Sequence, residues 1–230
     1  MRLAVVPVSD EGQGFWRQAT REIYGKPIFA WSIAVALSSP CIDRVVVSTS
    51  DRKIADLAVK YGAEAPFLRP AEVTDDQIPP RSIVEHAIKN LYEDPNSIDA
   101  VCCLHPTAPL MSVEDIKAGY ERLVQGNCTY AFAVTSFPVP LQRALRIGKD
   151  GHLAMYQPVH FGTDTQVPDE VWYDARHFYW ARAEEWCRDR PVIGPDAVGV
   201  PVPRERVQFL STPEDWHLAE MRVRAAKQCT

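Results

Sequence analysis

Between residues 3 and 135 the chain alternates short apolar runs with longer segments of helical spacing. The strand-like runs are Leu3–Pro7, Arg44–Thr49, Ala100–His105 and Thr129–Thr135. Helical patterns fall between them at Pro27–Ser39, 51–61, 81–93 and 113–125. A β-α-β-α-β-α-β order predicts an α/β fold, because right-handed crossovers place helices on both faces of a mostly parallel sheet. The run "RVVVST" at Arg44–Thr49 has no polar alternation, which predicts a central parallel strand.

Local chemistry sets the element ends. Pro27 suits the first helical position, and Ile28, Trp31 and Val35 share a face. Asp51 precedes the stripe Ile54, Leu57, Ala58 and Tyr61 as an N-cap, and Gly62 follows it as a left-handed terminator. Ser112 with Asp115 forms a capping-box pattern. Thr212-Pro213-Glu214-Asp215 starts a final helix that runs to about residue 227. The segment 136–178 is rich in proline, glycine, glutamine and aromatics, and it breaks the rhythm. It reads as an arm inserted within a single domain spanning 1–230. A strand at 177–181, a helix at 182–189 and a last strand around 204–210 complete the expectation.

Charge and cysteine usage narrow the function. A net charge of -5 argues against a general binder of nucleic acid or acidic membrane, which needs clustered lysine and arginine. No apolar run approaches the roughly 20 residues that span a bilayer. The chain starts directly on a strand-like run, so no signal peptide is visible. The six cysteines include no C-x-x-C pair, and adjacent Cys102 and Cys103 point to opposite faces of their strand. Reduced, buried thiols in a cytoplasmic protein are the expectation. There is no G-x-S-x-G elbow for a hydrolase and no i,i+4 histidine pair for a metal.

Ligands of open α/β sheets lie beyond the carboxyl ends of the strands, here the loops after Pro7, Thr49, His105 and Thr135. The first loop, 8–24, leads to Gly25-Lys26-Pro27. Lys26 is either an anion contact beside a helix N-terminus or a solvated turn lysine.

Seven segments in register carry a family resemblance: "YGKPIFAWSI", "VVVSTSDRKIADLAVKYGAEAPFLRPAE", "VCCLHPTAPL", "SFPVPLQRAL", "MYQPVHF", "DARHFYW" and "STPEDW". Together they resemble the pseudaminic acid and acylneuraminate (sialic acid-type) cytidylyltransferases along essentially the whole chain. The resemblance implies a Rossmann-like nucleotidyltransferase fold with a dimerisation arm, a homodimer, and Mg²⁺ as cofactor. It also implies a reaction of CTP with a nine-carbon sugar acid to give CMP-sugar and pyrophosphate. Nucleotide contacts are then expected from Ser9, Gly12, Gly14, Arg17, Lys26 and Arg81. Sugar contacts are expected from Thr107, Gln142, Arg143, Gln157, His160, Gln166, Asp174 and Tyr179. Arg143 suits a sugar carboxylate because its planar fork binds carboxylates bidentately, although an interface ion pair fits it as well.

Several positions depart from the family pattern. In the phosphate loop Ser9 stands for an arginine, Asp10 and Glu11 for two glycines, Gln13 for a lysine, Gly14 for an arginine and Ala19 for an asparagine. Each carboxylate near a polyanion at ~4 Å costs about 1 kcal/mol even at the dielectric of water. Ile78-Pro79-Pro80-Arg81 replaces a Thr-Gly-Thr stretch, and Arg176-His177 replaces Gly-Gln. Phe209 and Ser211 stand where the family has two metal-binding aspartates. The rival expectation is therefore a catalytically inactive homologue, acting as a sugar-binding or regulatory partner subunit.

Overall fold

The computed structural model describes residues 1–9, 19–73, 78–94, 97–141, 144–156 and 170–228. Six strands form the central sheet: β1 (Arg2–Pro7), β4 (Arg44–Ser48), β5 (Ala100–Leu104), β6 (Tyr130–Ser136), β9 (Trp172–Ala181) and β10 (Ala197–Pro201). Their order is β10-β6-β9-β5-β1-β4. The β1/β4, β1/β5 and β10/β6 pairs are parallel, while β9 runs antiparallel to both β5 and β6. The α/β expectation holds, with one reversed strand in the middle of the sheet.

Alternation along the strands feeds two cores. Ala4, Val6 and Cys102 face α1 (Ile28–Ser38), α2 (Arg52–Lys60) and α4 (Val113–Gln125). Leu3, Val5 and Cys103 face α3 (Pro80–Leu91) and α5 (Ala183–Trp186). Neighbouring cysteines thus point to opposite faces, as the period of two requires. Trp180 and Trp186 are fully buried, one in each core. Each contributes about 1.5–3 kcal/mol or more by burial, and their indole N–H groups donate to Ile116 C=O and Val101 C=O at 3.0 Å. α1 is buried almost all round because α6 (Pro213–Gln228) covers its other side through Trp216, Ala219 and Val223. α4 crosses β9 closely at Gly119, where an added Cβ would lie 2.8 Å from Trp180 Cδ1. Among the described residues no helix is long and apolar enough to cross a membrane. Cys41, Cys102, Cys103, Cys128 and Cys187 are free thiols.

Several sequence expectations shift. Pro27 belongs to β3 (Lys26–Pro27), which pairs with β2 (Glu22–Ile23), and it caps α1 from outside at ψ 140. Arg44–Ser48 is an edge strand. It is apolar because helices cover both its faces, and burial by helices leaves no trace of strand order in the sequence. Its open edge is closed by Glu64, with Val47 N–H donating to Glu64 C=O at 2.8 Å and Glu64 N–H to Val45 C=O at 2.9 Å.

The strand expected at 177–181 begins at Trp172, so 172–178 belongs to the central sheet. Within the expected arm, β7 (Leu145–Ile147) and β8 (Leu153–Met155) form a hairpin. The helix expected at 182–189 is a single turn, α5. The last strand lies at 197–201, not 204–210. Pro203 cannot donate to a ladder, and Arg204–Arg206 turns as a 3₁₀ helix. Gly199 hides the strand from a β-propensity reading, yet it is needed there, because a Cβ would meet Val134 Cγ2 at 2.8 Å.

Candidate active site

The carboxyl ends of β1, β4 and β5 meet on one side of the sheet, where the first ligand-binding loops were expected. Two adjoining cavities open there. The larger, ≈ 420 Å³, is bounded by Ser9, Arg69, Thr107, Asp174 and Tyr179 among others. The smaller, ≈ 180 Å³, is bounded by Arg206, Gln208, Phe209 and Ser211. His105, Thr107 and Arg176 line both and form the partition.

The partition arises from a break in strand register. Phe132 pairs with Tyr179, but Val134 pairs with Asp174, so Ala133 alone spans the four residues 175–178 of β9. Such excursions re-aim side chains at functional sites. Its conformation is pinned at three points. His105 N–H donates to His177 C=O at 2.8 Å. Arg176 N–H donates to Asp174 Oδ1 at 2.8 Å. The Tyr179 hydroxyl donates to Asp174 Oδ2 at 2.6 Å. Within the excursion Arg176 takes φ 50, a left-handed conformation that costs a side-chain-bearing residue about 1–2 kcal/mol. The Arg176 guanidinium lies over the Phe209 ring, 5.5 Å from its centroid.

Burial governs protonation here. His105 and His177 are both held down to about 4, chiefly by burial, so both are neutral near pH 7. Arg176 and His177 depress His105 further, and for His177 the nearby Arg206 opposes protonation while Asp115 favours it. Thr107 Oγ1 lies 3.0 Å from His105 Nδ1. Burial, then the Asp174 carboxylate, pushes the Tyr179 hydroxyl well above its ordinary value.

The residues expected from the sequence divide into three groups. Ser9, Thr107, Asp174 and Tyr179 come together in the larger cavity, and Phe209 with Ser211 lines the smaller one. Lys26 and Arg81 line neither. The Lys26 ammonium lies over the Trp31 ring at 3.7 Å, where burial and the neighbouring Lys227 lower its proton affinity. Arg81 pairs with Glu85 at 3.2 Å and Asp189 at 3.0 Å, fastening α3 to the segment after α5. Gly12, Gly14, Arg17, Gln142, Arg143, Gln157, His160 and Gln166 lie outside the described residues, as do Asp10, Glu11 and Gln13.

Two arginines of the walls had no periodic signal in the sequence. Arg69 is 4% exposed, and its guanidinium donates to Ser48 C=O at 3.0 Å and Val8 C=O at 3.4 Å, bracing the ends of β4 and β1. Arg206 binds both oxygens of Asp115. The only signal for Arg69 is a lone arginine in the apolar, proline-bounded stretch "PFLRP".

Residues 14–142 match the Cytidylyltransferase family pattern, and along 219 residues the chain is 31% identical to the pseudaminic acid cytidylyltransferase of Campylobacter jejuni, covering 95% of this chain and 94% of that protein. The chain belongs to the cytidylyltransferase family. A CMP-N,N'-diacetyllegionaminic acid synthase of Legionella pneumophila is 34% identical over 122 residues, 52% of this chain and 51% of that protein. A solved CMP:2-keto-3-deoxy-manno-octonic acid synthetase in complex with CTP superimposes with TM-score 0.67 at 13% identity, covering 99% of each chain, which shows a shared fold. The family match begins at Gly14, downstream of Asp10 and Glu11.

Among the described residues, the chain does not present a divalent-cation site at the positions the resemblance implies. Phe209 is apolar and packs against Tyr173 at 6.0 Å between centroids. Ser211 lies beside Asp215, but Asp215 Oδ2 already accepts from Ser211 N–H, Thr212 N–H and Thr212 Oγ1–H, each at 2.9 Å, in a capping arrangement for α6. Among the described residues no group of three or more His, Cys, Asp or Glu side chains is placed to hold a metal. A hard divalent ion needs several oxygen ligands, and the described residues here do not fit one.

Proposed function

We propose that this chain joins CTP to a nonulosonic acid of the pseudaminic or sialic type. A hydroxyl oxygen of the sugar acid attacks the α-phosphorus of CTP. The bond from that phosphorus to the β-phosphate bridge breaks, the hydroxyl proton is lost, and CMP-sugar and pyrophosphate result. The observation that carries the reading is the full-length match to a pseudaminic acid cytidylyltransferase, together with a cavity at the carboxyl ends of the parallel strands that Ser9, Thr107, Asp174 and Tyr179 line.

In this reading Ser9, Gly12, Gly14 and Arg17 face the nucleotide, and Arg69 adds a fixed positive charge to the same wall. Thr107, Asp174 and Tyr179 face the sugar, with Gln142, Arg143, Gln157, His160 and Gln166 contributing from the arm. Lys26 and Arg81 act on the scaffold. Catalysis is positioning plus charge neutralisation. The cytoplasm is the proposed compartment, in keeping with the free thiols.

We also propose a homodimer built through the arm. Leu145 pairs with Met155 and Ile147 with Leu153, so these four side chains share one hairpin face. Leu145, Ile147 and Leu153 are exposed. A lone two-stranded hairpin is marginal in water, and a second copy would cover this face.

The test is pyrophosphate release from CTP with a panel of nonulosonic acids. Stoichiometric CMP-sugar and pyrophosphate with at least one acid is the expected result. Phe209 and Ser211 favour one rival, a non-catalytic homologue, which would bind CTP or a sugar acid and release no pyrophosphate with any member of the panel.

A further inference from the structure

The smaller cavity has one wall cation that no carboxylate among the described residues neutralises, Arg176. Its described wall carries Arg176, Arg206, His105 and His177 and no carboxylate. Arg206 is occupied by Asp115, which accepts both of its N–H groups. Arg176 makes no ion pair among the described residues. Its guanidinium rests on Phe209, the position at which the resemblance implies a metal-binding aspartate. An apolar ring at that point holds a cation by its face and leaves the guanidinium N–H edges open to a ligand.

The backbone tells the same story. Arg176 stands where the family has glycine and keeps a φ of 50, a conformation glycine adopts without strain. A long charged side chain held in that conformation, at the partition between two cavities, is the kind of outlier from which a role is inferred. The arginine and the phenylalanine are complementary: one brings positive charge, the other replaces the carboxylate that would neutralise it.

We propose that Arg176, braced on Phe209, supplies to the phosphates of CTP the positive charge that a carboxylate-bound divalent ion would otherwise supply, so that this chain holds CTP without depending on a divalent ion. Guanidinium suits the task because it is always charged and binds two phosphate oxygens at once. Lining both cavities, Arg176 reaches the larger one, where the nucleotide is proposed to lie, from the side of Phe209. The inference rests on the cytidylyltransferase reading.

Calorimetric titration of the full chain with CTP, in EDTA and in Mg²⁺, tests it. Wild-type affinity is expected to differ by less than about 3-fold between the two buffers. Arg176→Gln and Arg176→Gly are expected to weaken CTP binding in EDTA by about 10-fold or more. Arg176→Gly should also raise the Tm of the ligand-free protein by relieving the left-handed strain, a pairing of gained stability and lost affinity that misfolding does not produce. A loss of more than about 10-fold for the wild type in EDTA, or wild-type affinity in Arg176→Gln, overturns the inference while leaving the cytidylyltransferase reading standing. Failure of the wild type to bind CTP in either buffer overturns both.

Discussion

Arg206 grips Asp115 with two hydrogen bonds, Nη1 to Oδ2 at 2.7 Å and Nη2 to Oδ1 at 2.8 Å, across 91 positions of sequence. Asp115 is also the third residue of the Ser112 capping box of α4. One carboxylate therefore ends a helix and fixes the 3₁₀ turn that carries the Arg206 wall of the smaller cavity. Asp115→Asn is expected to destabilise the fold by about 2–4 kcal/mol, because removing one partner strands a partly buried charge. Ser112→Ala removes only the cap and should cost about 1 kcal/mol. Urea unfolding of the two variants checks the difference.

The Tyr179–Asp174 bond holds the β9 excursion closed from inside the larger cavity. Tyr179→Phe leaves a carboxylate oxygen without its donor and should cost about 1–3 kcal/mol of stability. Because Asp174 and Tyr179, both proposed to face the sugar, flank an excursion that carries Arg176, the variant should weaken binding of both the sugar acid and CTP. Calorimetric titration of each ligand separately reads this out.

Stability should be lost as pH falls through the window set by the two buried histidines. His105 and His177 are both depressed to about 4, against an ordinary 6.5. Between those values the unfolded chain binds more protons than the folded one, so stability rises with pH there and is lost as pH falls from about 6.5 towards 4. The loss is expected to be on the order of 1–3 kcal/mol per histidine at the acid end. Urea midpoints from pH 7 to 4.5 should show the slope, and His177→Gln should flatten it. Asp43, held to about 2 by Arg2, adds its own loss only below about pH 4.

Asp10 and Glu11 stand in the loop that the resemblance assigns to the triphosphate. Removing both, as Asp10→Gly with Glu11→Gly, should tighten CTP binding by about 5- to 30-fold, at about 1 kcal/mol for each like-charge contact relieved. Titration at low and high salt checks the origin, since an electrostatic gain shrinks as salt rises.

The hairpin face offers a test of assembly. Ile147→Lys with Leu153→Lys places two charges on a face whose residues are otherwise apolar. Light scattering should show the wild type as a dimer and this variant as a monomer of about 26 kDa, with little change in thermal stability of the domain. A monomeric wild type at micromolar concentration would rule out the arm-mediated dimer.

The sequence by itself determined the α/β class, the positions of α1, α2 and α4, the capping residues Asp51 and Ser112, and the opposed directions of Cys102 and Cys103. These follow from periodicity and local hydrogen bonding, which act over a few residues. The family resemblance, not periodicity, pointed to Ser9, Thr107, Asp174, Tyr179, Phe209 and Ser211, and the fold places all six at the walls of the two cavities. What the tertiary structure decided was non-local. A helix-covered edge strand and a central one carry the same apolar run, so the place of Arg44–Ser48 in the sheet was open. The reversal of β9 and its four-residue excursion depend on which strands flank it, and no residue within 172–181 records that. Lys26 and Arg81 carry charges suited to a phosphate, but Trp31 and the pair Glu85 and Asp189 lie nearer in space and engage them. Arg69 and Arg176 reach the site because the chain folds back on the ends of β1, β4 and β5, a convergence that exists only once the sheet has formed.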